Sequence, residues 1–76
     1  MDTYKSVMLA GENIDVISSV LVLEDNSGSN NYRLVHHKTT KGFMYTLYCN
    51  NFELLHAGGS ALGLEVALDQ FYSTIG

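Results

Sequence analysis

The chain has 76 residues, of which 46% are hydrophobic and 16% charged, with a formal net charge of −4. A chain of this length forms one small domain (residues 1–76) with a thin core, because it buries only about 60% of the surface its unfolded form exposes. The composition excludes disorder, which needs low hydrophobicity and high net charge, and such an apolar-rich, charge-poor chain is expected to bind something or to self-associate.

In chain order, residues 4–9 read as a short strand or a docked N-terminal arm, followed by a break at Gly11-Glu12-Asn13. Residues 14–23 (IDVISSVLVL) are rich in Val and Ile, which predicts a strand partly buried on both faces. A helix starting at Asn13 competes with that reading, since Ile14, Ile17 and Leu21 also fit a helical stripe. The run Asp25-Asn26-Ser27-Gly28-Ser29-Asn30-Asn31 is an exposed, flexible loop by composition.

From Tyr32 onward the pattern becomes strand, turn, strand, turn, strand. Asn50-Asn51 suits a two-residue hairpin turn, because Asn tolerates the positive φ of type I′. That turn sets Cys49 opposite Phe52, Leu47 opposite Leu54 and Tyr45 opposite His56. A four-residue loop over 39–42 pairs Lys38 with Phe43, Leu34 with Leu47 and His36 with Tyr45. A two-residue loop at Lys41-Gly42 would instead shift the first strand by one residue and flip its faces. In the first register one face carries Tyr32, Leu34, His36, Tyr45, Leu47, Cys49, Phe52, Leu54 and His56. The other carries Arg33, Val35, His37, Met44, Thr46, Tyr48, Glu53, Leu55 and Ala57.

Gly58-Gly59 permits a turn and Ser60 is a natural N-cap, so a helix is predicted over residues 61–75. Ala61, Leu64, Ala67, Leu68, Phe71, Tyr72 and Ile75 form its core stripe, to be laid over Leu34, Leu47 and Leu54. Gly63 costs the helix about 1 kcal/mol relative to Ala and so suggests a close contact. The fold expected is α+β: a four- to five-stranded antiparallel sheet with one C-terminal helix packed on one face.

Chemistry-bearing motifs are weak. His36 and His37, adjacent in a strand, point to opposite faces. His36 and His56 lie two strand spacings apart, about 10 Å, which is too wide for one zinc. Neither a metal site nor a cofactor is expected. Cys49 reads as a small buried hydrophobe and Gly58-Gly59-Ser60 as a helix cap, since no phosphate-loop or dinucleotide fingerprint is present. A single cysteine forms no intrachain disulfide and fits a reducing compartment. Met1-Asp2 opens no signal segment, and residues 14–23 are too short and polar to span a bilayer, so a cytoplasmic location is expected.

The stronger signal is the second sheet face. Arg33, Val35, Met44, Thr46, Tyr48, Glu53 and Leu55 are expected to form an exposed partner-binding patch, with Tyr48 and Met44 as central anchors. Leu62 and Val66 lie off the helix stripe and form a secondary patch. The function expected is non-enzymatic steric docking on another protein, with self-association. The start Met and the small size suggest a complete gene product of the kind common among phage-encoded inhibitors of host or defence machinery. The alternative is nucleic-acid binding through Arg33, Lys38 and Lys41, although four basic residues in the whole chain neutralise few phosphates. A ligand or enzyme reading would draw on His36, Tyr45 and His56.

Overall fold

The computed structural model describes residues 4–76. Five antiparallel strands follow one another as a meander, β1 (Ser6–Leu9), β2 (Glu12–Asp25), β3 (Tyr32–Thr39), β4 (Gly42–Cys49) and β5 (Phe52–Gly58), and one helix, α1 (Ala61–Ile75), closes the chain. The fold class is the one expected from the sequence, and residues 14–23 are strand.

β2 is the organising element. Its 14 residues far exceed the 4 of β1. Glu12 to Asp15 pair with β1, and the Val16 amide donates to the Lys5 carbonyl (2.9 Å); Val16 to Asp25 pair with β3. The handover coincides with a register shift at Ile17, and a second shift falls at Val22. An extra residue on one strand bends and twists it. The β1–β2 hairpin thereby swings over one face of the β3–β4–β5 sheet and turns the meander into a nearly closed barrel. Val7, Ile14 and Met44 form the core cluster beneath it, and Tyr4 sets its ring against His37 and Tyr48.

The β3–β4 register is the one expected, with Lys38 opposite Phe43, Leu34 opposite Leu47 and His36 opposite Tyr45. The ladder runs one pair further, to Thr39 and Gly42. Thr39 Oγ1 bridges the turn, accepting from the Lys41 amide and donating to the Gly42 carbonyl. Asn50 and Asn51 take φ of 51° and 72°, both in the left-handed region that a type I′ turn requires. The loop after β2 is stitched to this turn: the Asn31 amide donates to Asn50 Oδ1, and Asn50 N–H returns a bond to the Asn31 carbonyl.

β5 departs from expectation. Cys49 faces Phe52, but a bulge inserts Leu54, so Leu47 faces Leu55 and Tyr45 faces Ala57. Every later side chain is reversed. Leu55 and Ala57 join the helix-covered core with Leu34, Leu47, Ala67 and Phe71, while Leu54 is left exposed and His56 turns to the opposite face beside Thr46.

Helix α1 begins where predicted, with Ser60 Oγ accepting from the Gly63 amide. Its buried line is Gly63, Ala67 and Phe71, with Leu64, Leu68 and Ile75 half-buried. Ala61 and Tyr72, expected in the stripe, are exposed. The line is rotated because the helix start is pressed against the end of β5: a Cβ on Gly63 would sit 1.5 Å from the Gly58 carbonyl oxygen. Gly63→Ala should therefore destabilise the protein by about 2 kcal/mol or more in urea denaturation, despite the ~1 kcal/mol gain in helix propensity. A stabilised variant would contradict this packing.

Candidate functional site

The expected exposed patch lies inside the barrel. Val35 is 1%, Met44 7%, Thr46 0% and Tyr48 4% exposed, because the β1–β2 hairpin covers them. Leu55 has moved to the helix side through the bulge at Leu54. Arg33 stays at the rim, its Nε donating to Glu24 Oε2 at 2.8 Å. This bond, with a second from Asn31, holds the Glu24 carboxyl below its ordinary range. Glu53 also stays at the surface. These seven residues therefore do not form one accessible surface. Leu62 and Val66 are exposed as expected, at 73% and 54%.

The interior holds polar groups as well as apolar ones, and they are joined. Ser19 Oγ lies 2.6 Å from His37 Nδ1, and His37 Nε2 lies 2.8 Å from the Tyr48 hydroxyl. Tyr48 is bonded to Thr46, Thr46 Oγ1 lies 2.9 Å from His56 Nδ1, and His56 Nε2 lies 3.1 Å from Glu53 Oε1. Glu53 Oε1 also accepts from the Met8 amide at 2.9 Å.

A carboxylate only accepts, so His56 Nε2 carries a proton, and in the neutral ring Nδ1 then accepts from Thr46. Thr46 can then accept from the Tyr48 hydroxyl, Tyr48 from His37 Nε2–H, and His37 Nδ1 from Ser19. One direction of donation satisfies every group in the row. It also requires a neutral His37. Burial, reinforced by any positive charge on the neighbouring His56 and His36, holds that imidazole down at about 4. Burial likewise pushes the Tyr48 hydroxyl well above its ordinary value.

Thr46, His56 and Glu53 share the hydroxyl–imidazole–carboxylate pattern of nucleophile triads. Thr46 is wholly buried, however, and its hydroxyl is engaged between Tyr48 and His56. The row bridges the strands: it ties β2 to β3, β3 to β4, β4 to β5 and, through the Met8 amide, β5 to β1. A cavity of about 210 Å³ opens beside it at the β1–β5 seam, lined by Leu9, Ile14, Met44, His56 and Ala57 among others. Its polar neighbours are committed: both His56 nitrogens as described, the Thr39 hydroxyl to Gly42 and Lys41 to Glu12.

The residues of the rival readings are not assembled. The rings of His36 and Tyr45 touch, with centroids 4.5 Å apart, but His56 is on the other face. Lys38 and Lys41 sit at the β3–β4 turn, and Arg33 is at the far end of β3 beside Glu24. Among the described residues no group of three His, Cys, Asp or Glu side chains is placed to hold a metal ion. No described helix is long and apolar enough to cross a membrane.

Sequence reasoning missed the outer side of β2. From Ile17 to Asp25 this strand pairs only with β3; among the described residues none pairs with its other edge. Ile17, Val20 and Leu21 are 61%, 63% and 51% exposed there. The signal was in the lengths, because residues 4–9 are too few to cover residues 14–23. The chain matches no family model, no curated protein and no solved structure, so this geometry stands by itself as the basis for a functional reading.

Two consequences of the internal row are measurable. Below pH 6.5 the unfolded chain takes up a proton that folded His37 refuses until about 4. Stability is therefore full above pH 6.5 and falls as pH drops towards 4, by up to about 3 kcal/mol from this group. Urea denaturation across that range should show the fall, and a flat profile would contradict it. Tyr48→Phe should cost about 1–3 kcal/mol by leaving His37 Nε2 unpaired. Tyr48→Ala should cost about 3–5 kcal/mol, as for a core aromatic.

Proposed function

We propose that the protein is a non-enzymatic binding module that acts by steric docking, and that the docking element is the free edge of β2. The observation that carries this reading is the contrast between the two open sides of the sheet. At the seam, the Glu53 carboxylate occupies the Met8 amide, which blunts that edge. Along residues 17–23 the β2 edge has no charged residue, no proline and three exposed large apolar side chains. Native proteins normally protect a long apolar edge with charge, proline or a cover, because it templates pairing with another strand. Strand addition uses that template for recognition: main-chain bonds give affinity, and alternate side chains give selectivity.

The exposed Leu62 and Val66 on α1 remain a second apolar surface away from this edge. Docking of this kind serves an inhibitor well, since occluding a partner's surface is its whole activity. The nucleic-acid alternative draws on a small basic supply in which Arg33 and Lys41 already pair with Glu24 and Glu12.

Val20→Lys tests the reading. It places a charge on the edge at an exposed position and should leave the circular dichroism and melting temperature unchanged. Tagged wild type should retain a bound protein, either a different chain or untagged copies of itself, and Val20→Lys should lose it. Retention of neither by the wild type, or equal retention by the variant, would overturn the reading.

A further inference from the structure

Independently of the edge-docking reading, we infer that Ser19 is a site of covalent acylation, with His37 as its base and activated esters as the class of reagent it takes. Ser19 is exposed on the outer stretch of β2, whereas His37, its cross-strand partner, is fully buried. Their contact is short, 2.6 Å from Oγ to Nδ1, and the direction of donation along the row makes Nδ1 the acceptor. A hydroxyl hydrogen-bonded to an imidazole that a third group orients is the arrangement that activates a nucleophile. Tyr48 is the third group here, its hydroxyl 2.8 Å from His37 Nε2. The Tyr4 and Tyr48 rings steady the imidazole edge-on, with centroids 5.1 and 5.9 Å from it. Among the described residues, 17–25 pair only with β3, so alternate amides beside Ser19 point outwards and can receive charge developing on a carbonyl oxygen.

A buried imidazole resists a positive charge, and the row removes the need for one. When Ser19 Oγ bonds to the ester carbonyl carbon, its proton passes to His37 Nδ1. His37 Nε2 gives its own proton to Tyr48, Tyr48 gives one to Thr46, and Thr46 gives one to His56 Nδ1. The bond from the carbonyl carbon to the aryloxy oxygen breaks, and the aryl oxide leaves with the electron pair. The positive charge therefore arises on His56, whose Nε2–H faces the Glu53 carboxylate at 3.1 Å, and not on His37. Every hydroxyl in the row now donates the other way. The ester oxygen of Ser19 only accepts, so His37 Nδ1–H stays directed at it and is no base for a water molecule. The chemistry ends at the ester, without turnover, in keeping with a non-enzymatic module.

The probe is p-nitrophenyl acetate at about pH 6, where ordinary amines and thiols are protonated. Peptide mapping by mass spectrometry follows acetylation at each serine of the wild-type chain. General-base assistance is worth about 10²–10⁴-fold. Ser19 should therefore be acetylated about a hundredfold faster than Ser18, which is equally exposed in class but lies on the opposite face, beside Lys38. Glu53→Gln tests the relay from its far end. It keeps an oxygen to accept from His56 and from the Met8 amide but removes the charge that balances the imidazolium. With an unchanged circular dichroism spectrum, it should slow acetylation of Ser19 by about tenfold and leave Ser18 as it was. Ser19 acetylated no faster than Ser18 in the wild type would overturn the site. A folded Glu53→Gln chain whose Ser19 reacts as fast as wild type would overturn the relay.

Discussion

The fold depends on β2 being longer than either strand it serves. Its first residues belong to β1 and its later ones to β3, with the exchange made at Asp15 and Val16. That mismatch has two products. It bends the chain so that the β1–β2 hairpin covers the inner face of the sheet, giving a chain of this size a second core cluster of Val7, Ile14 and Met44 beside the helix-covered one. It also leaves the outer side of residues 17–25 without a neighbour. The same cause supplies the stability and the surface.

In a small barrel filled only with aliphatic side chains, the alternation of buried and exposed positions alone would set the register. Here the row from Ser19 to Glu53, buried at His37, Tyr48 and Thr46, ties each strand to the next through hydrogen bonds, and each bond is formed only when the strands are in register. Such rows are costly when broken, since a buried unpaired donor or acceptor loses its hydration with nothing in return. That cost favours one register over its neighbours, at the expense of tolerance to acid through His37. The helix side works differently: Gly63 lets the backbone of α1 approach Gly58, and Ala67 and Phe71 complete a dry contact with Leu34 and Leu47.

Much of this was legible in the residues. The β-branched content of residues 14–23, the Asn50-Asn51 turn, the β3–β4 pairing and the Ser60 cap follow from local stereochemistry, which acts over a few residues and is visible in the sequence. The bulge at Leu54 was not, because Asn50-Asn51 fixes only the first pairs, and what decides between Leu54 and Leu55 is the fit beneath a helix that arrives later in the chain. The burial of Met44 and Tyr48 was hidden for a related reason. An apolar face reads the same whether it awaits a partner or is covered by the chain's own first hairpin, and the direction of that hairpin is set by a bulge at Ile17 that leaves no compositional mark. The edge of β2 was within reach from the unequal lengths of the first two strands.

Backbone amide exchange, followed residue by residue, tests the central claim most directly. If β2 both closes the barrel and offers its edge, the amides of Val35, Met44, Thr46 and Tyr48 will be highly protected. Amides of residues 17–25 that point away from β3 will exchange quickly in dilute solution. Fast exchange at Met44 and Tyr48, or strong protection along the outer edge of β2 in dilute solution, would contradict the account.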